Sequence, residues 1–254
     1  MYHRIHSVET PADDPRERPW AVTLDAFRRQ MDRLAAAGRV GVSMGQVHAE
    51  LSAGRTIPRP WVALTFDDGN QSDHRHALPI LAQLGFRATF FVCGFRVAAR
   101  DGLSHDALRE MHDAGMHIGS HAMTHRFLTT LSPRDEEDEL ARSKHVLEEL
   151  VGATVDHFAP PGGRWSSRTA ATLRRLSYRA VSTSRFGYND ASQAAFAYRR
   201  IPVVETTSLE RFDTIVAASP WRLLPSYARA GSVGIVRRAL GEAAYARLRG
   251  YGDA

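Results

Sequence analysis

The sequence predicts an α/β protein built on a parallel sheet, and two observations carry that prediction. Short apolar runs alternate with stretches of helical periodicity along most of the 254 residues, the order expected of parallel strands joined by helical crossovers. Three polar or glycine-containing motifs each stand directly after an apolar run, and active sites of parallel barrels are built at such strand ends. Alternation repeated this often favours a compact (β/α) barrel, with an open doubly wound sheet as the alternative.

The elements follow in order. Residues 2–5 read as a strand. Residues 11–18 are polar and proline-containing and read as a loop. Leu24, Phe27, Met31 and Leu34 have helical spacing and mark an amphipathic helix ended by Gly38, with a strand at Val42-Ser43 behind it. Residues 61–66 read as a buried strand, 76–84 as a short helix closed by Gly85, and 87–92 as the next strand. A helix at 105–114 ends at Gly115 and leads into a strand at 116–118. Ser132 caps a long helix, with Pro133 in its first turn and Asp135, Glu136 and Glu137 near its positive end. Leu140, Leu147, Leu150 and Val151 form its apolar stripe, and Gly152 stops it. Residues 155–159 read as a strand, 167–176 as a helix, and 179–182 and 200–204 as two later strands. The segment 221–254 has helical spacing and is expected to pack outside the barrel. The chain is expected to form a single domain over residues 1–254, with its motif core at 61–204.

Composition narrows the function classes. Hydrophobic residues make up 43% and charged residues 24%, ordinary for a globular chain with a full core. No run of about 18 apolar residues occurs, so no membrane span is expected. No apolar leader follows Met1, and a cytoplasmic location is expected. The single cysteine, Cys93, excludes an intramolecular disulfide and sits in an apolar run, where a buried inert thiol is expected. Net charge is +5, but the basic residues are almost all arginine and are scattered, with no basic helix and no aromatic RNA-binding motif. A nucleic-acid partner is therefore not expected.

The chemistry sits in the three motifs. Thr65-Phe66-Asp67-Asp68-Gly69 ends an apolar strand. Two carboxylates are costly to bury unpaired, and Gly69 permits a turn that brings both to one mouth. Asp-Asp-Gly is also an ordinary turn sequence, so this motif alone does not decide. The second motif is Gly119-Ser120-His121-Ala122-Met123-Thr124-His125. Histidines four apart share one face of a helical turn and can grip one metal ion. Two imidazoles and one carboxylate leave positions open for water, which is the pattern of a catalytic metal. With 12 histidines in the chain, one such pair is unremarkable until it is placed, like Asp67-Asp68, just past a strand end. Phe158-Ala159-Pro160-Pro161-Gly162-Gly163 is the third. Its prolines stiffen a loop, and its glycines let backbone N–H groups approach a ligand and stabilise an oxyanion. His74, His76, His105, His112 and His145 are expected on helix surfaces, and His117 and His157 inside packed strands.

In this order the motifs resemble those of the polysaccharide deacetylase family, the NodB-homology domain of carbohydrate esterase family 4. The family's Thr-Phe-Asp-Asp-Gly is matched without change. Its His-Ser/Thr-x-x-His reads His121-Ala122-Met123-Thr124-His125, and its Arg-Pro-Pro-Tyr-Gly reads Ala159-Pro160-Pro161-Gly162-Gly163. The resemblance covers residues 61–204. It implies a deformed (β/α)7 barrel and a divalent metal, most often zinc. It implies Asp68, His121 and His125 as metal ligands, Asp67 as general base, and Pro161 and Gly162 at the substrate, with the Gly162 N–H toward the oxyanion. The implied reaction removes N-acetyl groups from amino sugars, in a polysaccharide or a smaller glycoconjugate.

Three departures qualify it. Ala159 stands where the family has an arginine that orients the base; Arg199 or Arg200 is expected to replace it from another strand. Gly162 replaces an aromatic residue, which is expected to widen the substrate groove. The family's C-terminal Leu-x-His, whose histidine protonates the leaving amine, is absent, since no histidine follows His157. One branch, the deacetylases of exopolysaccharide N-acetylglucosamine polymers, is circularly permuted and carries its acid histidine in an N-terminal Tyr-His strand. This chain opens Tyr2-His3, and its segments at 20–38 and 42–43 also resemble that branch, which makes His3 the candidate acid. Two other readings stand beside this one: a catalytically degenerate carbohydrate-binding domain, motivated by Ala159, and the same chemistry on an O-acetyl ester or a non-sugar amide.

Overall fold

Serine residues set most of the helix starts. Ser43, Ser104, Ser132, Ser166 and Ser208 are extended, and each hydroxyl accepts a hydrogen bond from a backbone N–H three residues on. In the computed structural model, residues 1–7, 18–190 and 192–218 are described. The helical segment expected at 221–254, and the loop expected at 11–18 apart from Arg18, lie outside them. The elements are β1 Arg4–His6, β2 Ala21–Thr23, α1 Leu24–Ala36, β3 Val40–Val42, α2 Met44–Ser52, β4 Trp61–Ala63, β5 Thr65–Asp68 and α3 Leu78–Gln83. They continue with β6 Thr89–Val92, α4 His105–Asp113, β7 His117–Ser120, α5 Pro133–Val151, β8 His157–Phe158, α6 Ser167–Arg175, β9 Ala180–Val181 and α7 Leu209–Val216. Among the described residues, no helix is long and apolar enough to cross a membrane.

Strands β5 to β9 form a parallel sheet in sequence order, and short backbone bridges beyond β9 close the ring back to β5. Beyond β9, Ser182 bridges Tyr198 in parallel. The Met1 amino group donates to Ile201 O at 3.0 Å, and Val203 N donates to Met1 O at 2.9 Å. Tyr2 then bridges Phe66 of β5 in parallel, with Tyr2 N to Thr65 O at 2.8 Å and Asp67 N to Tyr2 O at 3.0 Å. The first residues of the chain are thus a stave set between the last stave and β5. The result is the deformed (β/α)7 barrel, with its N-terminal stave in permuted order. The expected strand at 200–204 is not a regular strand; it meets Met1 only through Ile201 O and Val203 N.

The apolar run at 61–66 is two strands, because the chain changes partners at Leu64. Its N–H goes to Val42 O at 3.0 Å and its carbonyl accepts from Thr89 N at 2.9 Å. Upstream, β4 pairs with β3 outside the barrel; downstream, β5 pairs with β6 inside it. The helix expected at 76–84 begins with one wide π turn at Asp73–Ala77. Two helices were not anticipated: α2, capped reciprocally by Ser43 and Gln46, and α7.

Alternation along β5 divides its side chains between helix layer and lumen. Phe66 faces the helices. Its ring stacks on Tyr2 at 5.3 Å and on Phe90 at 4.6 Å, and meets Phe27 of α1 edge-on at 5.8 Å. All four rings are buried, and the Tyr2 hydroxyl donates to Gln30 Oε1 at 2.9 Å. Asp67, one residue on, points the other way.

Candidate active site

Asp67 lies 3% exposed inside the barrel, and Arg200 meets it there. The guanidinium grips both carboxylate oxygens, Nη1 to Oδ1 at 2.6 Å and Nη2 to Oδ2 at 2.9 Å, and its Nε donates to Thr183 O at 3.0 Å. Of the two arginines considered for this place, Arg200 fills it and Arg199 is exposed. Burial opposes ionisation of Asp67. The Arg200 charge beside it, with the imidazoles of His121 and His3 nearby, overrides burial and holds its carboxyl below the usual range.

Asp68 ends β5 with φ at 84°, in the left-handed region that a non-glycine residue enters at a cost of roughly 1–3 kcal/mol. A regular strand would point its side chain away from that of Asp67; the turn brings it back to the mouth. Gly69 follows at φ 79°, where a Cβ would stand 2.8 Å from Val92 Cγ1.

The His121–His125 segment is not the helical turn that the spacing suggested. It is a loop, with Ala122 at φ 65° and His125 at φ 62°. Glu139 of α5, nearly buried, holds it: Oε2 accepts from Met123 N at 3.0 Å and Thr124 N at 2.8 Å, and Oε1 accepts from the Thr124 hydroxyl. Sequence reasoning passed over Glu139, which lies in the acidic first half of α5 beside the solvated Asp135, Glu137 and Asp138. Cys93 is buried under the same loop, and burial pushes its thiol up.

His121 donates from Nδ1 to Ala159 O at 2.7 Å, since a carbonyl can only accept. Its Nε2 therefore carries a lone pair, and it faces Asp68 Oδ1 at 3.5 Å; His125 Nε2 stands 3.4 Å from the same oxygen. Two acceptors turned on each other call for a cation between them. The spacing suits donors that each lie about 2 Å from one ion. Burial lowers His121 to about 4, which keeps it neutral and able to ligate. Burial works against Asp68, but the hydrogen bond from His125 and the imidazoles of His3 and His121 around it hold its carboxyl far below the usual range. The three residues fit a divalent metal.

The third motif follows β8. Ala159 is fully buried and contributes its carbonyl to His121. Pro161 is buried, and Gly162 is exposed at φ 59°. Gly163 N and Arg164 N bond back to Pro160 O and Pro161 O; Gly162 N makes no such bond among the described residues. A Cβ at Gly162 would lie 2.6 Å from Phe127 Cε1, so the Phe127 ring occupies the room, with the Arg164 guanidinium 3.9 Å above it.

His3 follows the Tyr2 bridge to Phe66 and so stands level with Asp67, and its carbonyl accepts from Asn70 Nδ2 at 3.4 Å. Its ring packs on Trp20 with centroids 5.2 Å apart, and its Nδ1 is buried without a hydrogen-bond partner.

This barrel and this mouth define a class. The chain matches the family profile described as polysaccharide deacetylase over residues 54–181, half of its length. The polysaccharide-deacetylase-like protein YxkH of Bacillus subtilis (strain 168) is 28% identical over 216 residues, covering 85% of this chain and 74% of YxkH. The peptidoglycan-N-acetylglucosamine deacetylase of Bacillus cereus is 32% identical over 121 residues, and the match spans 47% of this chain and 54% of that enzyme. Among solved structures, the Streptococcus pyogenes deacetylase PplD in complex with acetate superposes with a TM-score of 0.75 at 27% identity, covering 84% of this chain and 94% of PplD. The chain belongs to the polysaccharide deacetylase family of metal-dependent hydrolases, and Asp68, His121 and His125 form a group able to hold the metal.

Proposed function

We propose that the protein hydrolyses N-acetyl groups from amino sugars, in a polysaccharide or a smaller glycoconjugate, with zinc as its metal. The observation that carries this reading is the division of labour between adjacent carboxylates: Asp67 is held by Arg200, while Asp68 is turned by its left-handed backbone onto His121 and His125. Two imidazoles and a carboxylate suit zinc among divalent ions. A cation on these ligands would acidify a water and polarise the acetyl carbonyl. Asp67 takes the proton of the attacking water, and Arg200 keeps it ionised and fixed for that step. The Gly162 N–H offers a donor to the developing oxyanion. His3 gives a proton to the departing amine, which leaves poorly without one. The sugar substrate rests on the family and on the name of the Bacillus cereus relative. The degenerate-binder reading arose from Ala159, and Arg200 supplies the cation missing there.

The test compares two isosteric changes by metal content and by acetate release from N-acetylglucosamine oligomers. Asp67→Asn should retain metal and lose turnover; Asp68→Asn should lose metal. The opposite pattern would reverse the two roles.

A further inference from the structure

A second cluster of ligating side chains lies at the opposite end of the barrel. His117 opens β7, His157 opens β8, and Asp156 stands just before it, whereas the catalytic group sits past the other ends of β5 and β7. At a strand rise of about 3.3 Å per residue, the step from His117 to His121 places the two groups roughly 13 Å apart.

Asp156 Oδ1 lies 2.7 Å from His157 Nδ1 and 3.8 Å from His117 Nε2, and one donor atom from each of the three falls within 4.8 Å of the others. The His117 and His157 rings meet edge to face at 4.6 Å. His117 is fixed from behind: its Nδ1 is 3.2 Å from the Thr89 hydroxyl, whose oxygen also accepts from Met44 N at 2.8 Å. His48 of α2 packs against His157 at 5.3 Å between centroids and bonds to the Tyr198 hydroxyl at 3.1 Å. Arg179 approaches the outer oxygen of Asp156, Nε to Oδ2 at 3.5 Å, and leaves Oδ1 to the two rings.

His157 supplies a separate observation. It is 2% exposed, and its Nε2 is buried with no hydrogen-bond partner. With Nδ1 donating to Asp156, that nitrogen holds a bare lone pair in the interior, so it can take the ring's one proton when Nδ1 turns to a ligand. The side chains of His117 and Asp156 keep 22% and 17% exposure, so an ion can enter from solvent.

We propose that His117, Asp156 and His157 bind a second divalent transition-metal ion, of the zinc, copper or nickel kind, which ties the start of β8 to the start of β7 and takes no part in hydrolysis. The nitrogen donors select such ions over magnesium or calcium. The 3.8 Å separation already suits donors sharing one ion. The 2.7 Å contact is a hydrogen bond; it opens by rotation of the carboxylate as the ion takes Nδ1 and the ring's one proton passes to Nε2, so the imidazole stays neutral.

The experiment removes the catalytic ligands first. A His121→Ala/His125→Ala protein, equilibrated with cobalt(II) or zinc and dialysed, should retain about one equivalent of metal by elemental analysis and melt at a higher temperature with metal than without. Adding His117→Gln, at a partly exposed position, should abolish both the retained metal and the shift. Copper(II) bound to the double variant should show nitrogen hyperfine coupling in its electron paramagnetic resonance spectrum, a readout that needs no further substitution. A double variant that retains no metal, a copper spectrum without nitrogen coupling, or a triple variant that binds undiminished would overturn the proposal.

Discussion

At the residue scale, the site is a contest between burial and charge. Asp67 would be driven toward the neutral acid by burial, and Arg200 prevents it. In the role proposed for it Asp67 works as the carboxylate and stays ionised through the usual carboxylate range, so the acid limb of activity should appear where His121, lowered to about 4, takes a proton and ceases to ligate. Removal of the guanidinium takes away the largest influence opposing burial. In Arg200→Gln the acid limb of kcat/KM against pH should therefore move to higher pH; an unmoved limb would mean that Arg200 does not tune the base. The same change leaves a buried carboxylate unpaired and should destabilise the fold by about 3–5 kcal/mol. For His3 the expectation concerns proton supply. His3→Ala should cut turnover by about 10² to 10⁴ with metal affinity little changed, and an undiminished rate would leave the leaving-group acid to be found elsewhere.

The elements explain what was legible in the sequence and what was not. α5 was readable because its start and stop are local: the Ser132 cap, Pro133 in the first turn, and Gly152 at φ 66°. The metal-site residues were legible as motifs, Asp68 after an apolar run and His121 with His125 at a spacing of four. The inferred helical turn was wrong, since the pair converges through left-handed positions at Ala122 and His125 and through the grip of Glu139, and sequence spacing carries no sign of such backbone. Likewise, an apolar run does not record a change of partner, so the break at Leu64 was invisible. The N-terminal stave was foreseen from Tyr2-His3, and its energetic weight is visible in the packing. Tyr2 is 1% exposed, sits between Phe27 and Phe66, and carries the bridge into β5. Tyr2→Ala should cost about 3–5 kcal/mol in urea unfolding, the usual price of removing a buried aromatic ring. A loss below about 1 kcal/mol, the size of a surface change, would show that the stave is not part of the barrel's core.

At the scale of the molecule, the ring of staves brings distant parts of the chain to one mouth: His3 from the first stave, Asp67 and Asp68 from β5, His121 and His125 after β7, Gly162 after β8, and Arg200 from the stave beside Met1. The permuted closure puts the first and last of these next to β5, which is how Arg200 reaches Asp67 across 133 residues of sequence and fills the place left by Ala159. The central claim is that this mouth is a metal-dependent deacetylase centre. Its most direct test is acetate release from N-acetylglucosamine oligomers by chelator-stripped protein, before and after zinc is restored, alongside a His121→Ala/His125→Ala variant treated identically. Release should be absent from the stripped protein, return with zinc, and stay absent in the variant; release by the stripped protein or by the variant at the restored wild-type rate would contradict the account.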